Sequence, residues 1–296
     1  MKKTWLVVIL AIMATVPMLN SCTNAAKQLA KEVKETIKDK EDTPRYLRNS
    51  EKWGAVLTVD LDLADFSDID AEGFVDVVYV QADDFKVTLE GNEQVIKEYD
   101  FFVEDEALKI ELKQKQLKER IPTMRLTVQA PTIESIDVSG AGDIYMKEAV
   151  SLPNGLRLNI SGAGDVDIYS LVCEDFDVDI SGAGDLDIYE LDCTAFSIDV
   201  SGAGDTKIKK ASAEGDATFN IAGAGDINAK INCKDLRVTV SGAGEADIKT
   251  DCQTAYAEAT GTGEIELEGR ASKLVRNQSG LAKVITKKLF VEELER

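Results

Sequence analysis

Seven acidic residues, Asp143, Asp165, Asp185, Asp205, Asp226, Glu245 and Glu264, each close a short tract built on Ser-Gly-Ala-Gly-Asp. The tracts are Ser139–Asp143, Ser161–Asp165, Ser181–Asp185, Ser201–Asp205, Ala222–Asp226, Ser241–Glu245 and Thr260–Glu264, and a worn eighth begins at Ser279-Gly280. Their starts are 22, 20, 20, 21, 19, 19 and 19 residues apart. If successive copies lie side by side in a parallel sheet, the acids stack at one corner about 4.8 Å apart. Asp179 with Asp199, and Asp167 with Asp187, add shorter acidic rows beside them.

Such a row has three chemical uses. Each Asp can accept hydrogen bonds from backbone N–H groups of its own turn. Asp143, Asp165, Asp185, Asp205 and Asp226 can hold a cation weakly, calcium being the ion that oxygen-rich carboxylate clusters suit. A pair of acids can also hydrolyse a glycosidic bond. The first use is favoured. The nine-residue period of calcium-binding β-rolls is absent, and acids spread evenly along a regular turn do not gather into a catalytic pocket. Only Tyr145, Tyr169 and Tyr189 lie near them as aromatics.

The rest of the period defines the elements that carry the row. Before the tract, apolar residues alternate with polar ones: Leu158 and Ile160, Val178 and Ile180, Ile198 and Val200, Phe219 and Ile221, Val238 and Val240. After it come Val166 and Ile168, Leu186 and Ile188, Ile227 and Ala229. Period-two alternation on both sides predicts strand, turn and strand in every copy, and no 3.6 period is present. A fixed period near twenty residues is the mark of a solenoid whose coils bury their apolar sides only against one another. The predicted fold is all-β: a single-stranded, right-handed parallel β-helix with ~20-residue coils. The two glycines serve either positive φ angles or close approach of neighbouring coils.

Other chemistry is narrowed by composition. The chain has no histidine, which removes Ser-His-Asp and Cys-His catalysis and histidine-bearing zinc sites. The tract serine lacks a Gly-x-Ser-x-Gly elbow, and no Gly-Lys-Ser or Gly-Lys-Thr follows the glycines. No catalytic residue is assigned. The net charge is −20, or −22 once Lys2 and Lys3 leave with the leader, which repels nucleic acid.

The N-terminus reads as a bacterial lipoprotein signal. Lys2 and Lys3 precede an apolar stretch from Trp5 to Leu19, and Leu19-Asn20-Ser21-Cys22 closes it, with Cys22 the residue to be lipidated. The anchor implies a membrane attachment, with Thr23 after the Cys leaning toward the outer membrane; periplasmic and surface faces both stay open. The other cysteines, Cys173, Cys193, Cys233 and Cys252, fall seven or eight residues after the motif acid, where Ala213 and Ala271 stand in other coils. They predict one small apolar stacked position of buried thiols, with disulfides between adjacent coils as the alternative.

The expected organisation is a signal over 1–21, a tether over 22–52, an irregular β cap with the first coils over 53–135, the repeat helix over 136–286 and a charged C-terminal cap over 287–296. Both caps would cover strand edges that an open solenoid leaves unpaired. The order of signal, irregular β segment and coils resembles the head GIN-domain family, the auto-transporter-adhesin group of Bacteroides-type bacteria. The matching residues are Phe66-Ser67-Asp68-Ile69, Gly73-Phe74-Val75-Asp76-Val77, Phe85–Gly91, Leu108-Lys109-Ile110 and the Gly-Ala-Gly-Asp turns. The resemblance implies a β-helical, non-catalytic envelope protein. The leading reading is an adhesin-like lipoprotein whose rigid helix presents long repetitive faces to a glycan or protein partner. A carbohydrate-binding or carbohydrate-cleaving β-helix, and an envelope scaffold or stress-related factor, are the other readings. No cofactor is expected beyond weakly held calcium.

Overall fold

The computed structural model describes residues 50–113 and 121–295; the expected signal, Cys22 and most of the tether lie outside the described residues. The described chain is a parallel β-solenoid of about eight turns. Its core is set by the alternation. Ile136, Leu158, Val178, Ile198, Phe219, Val238 and Ala257 are successive register partners, and so are Val138, Ile160, Ile180, Val200, Ile221, Val240 and Ala259. All fourteen are buried. Each inward residue therefore touches its counterparts above and below, and each coil's apolar side is shielded by the next. Phe196 and Phe219 pack edge to face at 5.3 Å between centroids.

The predicted strand–turn–strand coil takes a simpler form. Val166–Gly182 and Glu245–Gly261 are single strands of 17 residues that run from one motif to the next. The second corner of the coil bends without ending the strand, and in places it shifts the register, as between Ile168 and Ser170. The Ala-Gly-Asp corner interrupts the strand in every repeat coil; in two coils a further corner does so as well, between Ile144–Leu152 and Leu156–Gly162 and between Thr206–Ala213 and Asp216–Ile221.

The N-terminal part is one coil with an insertion. Asp68–Gly73 pairs in parallel with Ser135–Gly140, so it is the first turn of the solenoid. The chain between them stacks Ala107–Leu112 and Met124–Ala130 in parallel on Asp68–Gly73 and Val75–Gln81, and sets Lys86–Asn92 antiparallel between Met124–Ala130 and the preceding strand Val56–Leu61. Tyr99–Glu104 and Ala107–Leu112 form the predicted hairpin, with Asp105 and Glu106 at positive φ of 50° and 61° supplying its tight turn. At the other end Lys283–Glu295 pairs with Glu264–Gln278 and, among the described residues, with no further strand.

Candidate functional site

The predicted carboxylate row exists, and its hydrogen bonds run between coils. Oδ1 of Asp143 accepts the backbone N–H of Asp165 at 3.1 Å. Asp165 accepts from Asp185 at 3.2 Å, Asp185 from Asp205 at 2.9 Å, Asp205 from Asp226 at 3.2 Å and Asp226 from Glu245 at 3.0 Å. The expectation that each Asp serves its own turn is corrected by this: the acceptor reaches the main chain of the following coil. The reason is geometric. In a parallel stack the motif N–H points along the solenoid axis, where the nearest acceptor is the Asp of the previous coil.

The row also begins earlier than the motif. Oδ1 of Asp76 accepts the N–H of Asp143 at 3.2 Å. Glu72 and Gly73 are in register with Ser139 and Gly140, so Gly73-Phe74-Val75-Asp76 is the first copy of the tract with Ala-Gly replaced by Phe-Val. Asp76 and Asp143 are each only 5% exposed, whereas the later acids sit at the surface. Tyr145 donates its hydroxyl to Oδ2 of Asp143 at 3.0 Å. Burial, then the charge of Asp143, pushes that phenol well above its ordinary pKa, so it remains a donor.

At the far end the pattern changes. The N–H of Glu264 goes to the carbonyl of Gly244, so the longer side chain of Glu245 does not continue the ladder. In the worn eighth copy Lys283 stands in register with Glu264 and places Nζ 3.3 Å from its carboxylate. A cation thus follows the last acid, while Arg125 is the register neighbour of Asp76 at the first.

The glycines answer to close approach. A Cβ built on Gly182, Gly184, Gly202 or Gly204 would lie 1.7–2.0 Å from the carbonyl oxygen of the matching glycine one coil earlier, and none of the four has positive φ. Gly140 and Gly162 combine that crowding with φ of 139° and 146°. Without side chains at these positions the corner backbones come close enough for Asp to bridge them.

Beside the ladder, Asp205, Lys207, Asp226, Asn228, Glu245 and Asp247 border a shallow open depression of about 300 Å³. The charge of Asp247, then burial, raises the pKa of Glu245; burial, then Glu266 and Glu264, raises that of Asp247. Oδ1 of Asp247 is buried and accepts no hydrogen bond from a described residue. Among the described residues no three His, Cys, Asp or Glu are arranged to hold a metal ion.

The cysteines lie where the spacing put them. Cys173 pairs in register with Cys193 and that with Ala213, and Cys233 pairs with Cys252 and that with Ala271. All four are free thiols; Cys173, Cys193 and Cys252 are buried and Cys233 is half-buried. Burial pushes Cys173 and Cys193 up to about 12.

A solenoid whose coils are laced by motif Asp residues through glycine corners is a repeat-built β-scaffold. The chain belongs to the family described as "Putative auto-transporter adhesin, head GIN domain", which matches residues 65–230 and 227–295. It is similar in fold to solved structures of a "putative adhesin" from Parabacteroides distasonis (20% identity, 81% of this chain and 97% of that one, TM-score 0.62) and a "putative lipid binding protein" from the same species (17%, 82% and 98%, 0.63). A "putative adhesin" from Bacteroides fragilis aligns with TM-score 0.52 at 21% identity over 78% and 97%. No curated protein matches the chain.

Proposed function

We propose that the protein is a cell-envelope lipoprotein, anchored at the outer membrane, that carries a non-catalytic β-solenoid and presents its repeated outer rows to a partner in adhesion. One observation carries the non-catalytic reading most. The acids that could have done chemistry each commit an oxygen to the main chain of the next coil, from Asp76 through Asp226. A carboxylate held in that way is a structural acceptor. Family membership supports the adhesive role. The anchor is Cys22, the segment 22–52 is its tether, and Asp143, Asp165, Asp185, Asp205 and Asp226 hold calcium only weakly.

The test couples anchoring to binding. Cys22→Ser should abolish palmitate labelling and release the protein from the membrane fraction. Cells carrying the parent protein should bind a glycan array or a host surface more strongly than cells lacking it, and surface protease should trim it. Unchanged labelling in Cys22→Ser would remove the anchor from this reading, and equal binding by both cell types would remove the adhesive role.

A further inference from the structure

We infer that the ridge carrying Tyr169, Tyr189, Lys209, Lys230 and Lys249 is a track for a linear acidic glycan laid along the solenoid axis. The inference rests on the adhesive reading above and names its ligand class. These residues occupy the second corner of five successive coils. Tyr169 lies between the register pairs Ile168–Ile188 and Ser170–Glu190, which sets it against Tyr189. Lys209 follows Tyr189 in the next coil, a register shift sets Lys209 and Lys210 opposite Lys230, and Lys230 pairs directly with Lys249. At about 4.8 Å per coil the ridge is roughly 19 Å long.

The tyrosine end is ordered by stacking. The rings of Tyr169 and Tyr189 lie 5.4 Å apart and 21° from parallel, and Nζ of Lys209 sits 4.2 Å over Tyr189. Tyr189 is covered on one face by Tyr169 and on the other by Lys209, so it offers a ligand its edge and hydroxyl, as Tyr169 does beside it. Tyr169 at 36% exposure and Val172 at 48% are among the largest exposed hydrophobic residues of the fold.

The lysine end is unbalanced. Lys210, one residue on, is tied to Glu190. Lys209, Lys230 and Lys249 are exposed, and none makes an ion pair with another described residue. Glu268 is in register with Lys249 in the next coil but is tied to Lys288, and like charges in adjacent register positions destabilise a sheet, so the three lysines gain from an outside anion. The neighbouring outward rows select the shape of that anion. One runs Asp167, Asp187, Lys207, Asn228 and Asp247, the other Val172, Asp192, Ser212, Asn232 and Asp251, so acids flank the two ends of the ridge and Lys207 widens its cationic middle. A narrow cationic line, bounded at Lys249 by Asp247 and Asp251 on a chain of net charge −20, attracts a single polyanionic strand and repels a broad anionic plane such as a membrane. Tyrosine hydroxyls beside lysines suit the mixed carboxylate and hydroxyl surface of an acidic sugar polymer.

The probe is a defined-length oligogalacturonate, measured by calorimetry on the lipid-free mature chain, with a neutral malto-oligosaccharide as comparison. The parent should bind the acidic probe alone, more weakly as salt rises. The triple variant Lys209→Gln, Lys230→Gln, Lys249→Gln should bind it at least about tenfold more weakly, a loss equivalent to about 1.4 kcal/mol. Its circular dichroism should match the parent. The comparison triple Lys86→Gln, Lys97→Gln, Lys113→Gln, in the N-terminal cap, should bind normally. No binding by the parent, or equal losses in both triples, would overturn the track. Equal or tighter binding of a single-stranded oligonucleotide or of anionic vesicles, lost in the same triple, would overturn the glycan assignment. Cell adherence is scored separately: if it persists in the ridge triple while the parent ignores oligogalacturonate, the track fails and the adhesive role stands.

Discussion

Oδ1 of Asp185 accepts the backbone N–H of Asp205 at 2.9 Å, so a side chain of one coil holds the main chain of the next. In a solenoid the stability is close to a sum of coil and interface terms, and this bond belongs to the interface. Repeated from Asp76 to Glu245, it joins coils at the one corner where glycines leave no side chains to pack.

Removing the acceptor should therefore weaken one interface. Asp185→Ala leaves the Asp205 N–H without its partner and is expected to cost about 1 kcal/mol at this exposed corner. Asp185→Asn keeps an oxygen that can accept the same bond and should cost less. Asp143→Ala should cost more, about 2–3 kcal/mol, because the site is buried and the Tyr145 hydroxyl also loses its acceptor. Chemical denaturation of the three variants checks the order. Equal effects at positions 143 and 185 would mean that burial does not set the strength of the ladder.

The corner glycines should tolerate even less. A Cβ on Gly184 would lie 2.0 Å from the Gly164 carbonyl oxygen, so Gly184→Ala must push two coils apart. Overpacking of this kind costs about 3 kcal/mol or more when backbone is what must move. Gly215→Ala is the control, since its Cβ would meet only the Thr194 carbonyl oxygen at 3.2 Å. Soluble yield and melting temperature of the pair decide it; a Gly184→Ala protein as stable as Gly215→Ala would show that the stack is loose.

The fold was legible because the solenoid repeats its own evidence. A period near twenty with alternation on both sides leaves few other architectures, and the stacked cysteines follow from the same arithmetic. The first coil was less legible. Gly73-Phe74-Val75-Asp76 keeps only its glycine and acid, and the long insertion after it breaks the period. The spacing Gly-x-x-Asp ahead of an alternating strand was the available signal. The direction of the Asp hydrogen bonds was not readable at all, because own-turn and next-coil donors have the same sequence. The lysine ridge was hidden for another reason: a register shift at Lys209-Lys210 blurs the alignment that joins Tyr189 to Lys230.

The thiols provide a chemical check on the core. With burial pushing Cys173 and Cys193 up to about 12, both should be inert to iodoacetamide in the folded protein at pH 8. The Cys233–Cys252 pair should react ahead of them, because its hydrogen bond lowers the pKa of the Cys252 thiol while raising that of half-buried Cys233. All four should alkylate in denaturant without reductant. A mass two hydrogens lighter per pair, with no alkylation, would establish disulfides between coils instead.

Calcium should act weakly on the acid row. Each ladder Asp has already committed Oδ1, and calcium asks for about six to eight oxygen ligands. Millimolar calcium is expected to raise the melting temperature by a few degrees without saturating. A large saturable rise that vanishes in Asp185→Asn would make the row a metal site.

The acids near Asp247 should respond to pH in the direction opposite to an ion-paired carboxylate. The pKa of Glu245 is raised by Asp247 and by burial, and that of Asp247 by burial and by Glu266 and Glu264. A raised value means that the folded chain keeps a proton the unfolded chain releases, in the window just above the ordinary carboxylate value of about 4. Stability then rises as pH falls into that window and is lower at neutral pH. Asp247→Asn removes the charge without removing a hydrogen bond, since Oδ1 accepts none from the described residues. The variant should be more stable than the parent at pH 7 by about 0.5 kcal/mol, a small gain because solvent screens the cluster. The gain should shrink below about pH 4, where the parent's acids are protonated as well, and in about 1 M salt. Melting curves of both proteins across pH 3.5 to 7.5 test this, and a destabilised Asp247→Asn at pH 7 would show that the carboxylate is held by attraction rather than strained by repulsion.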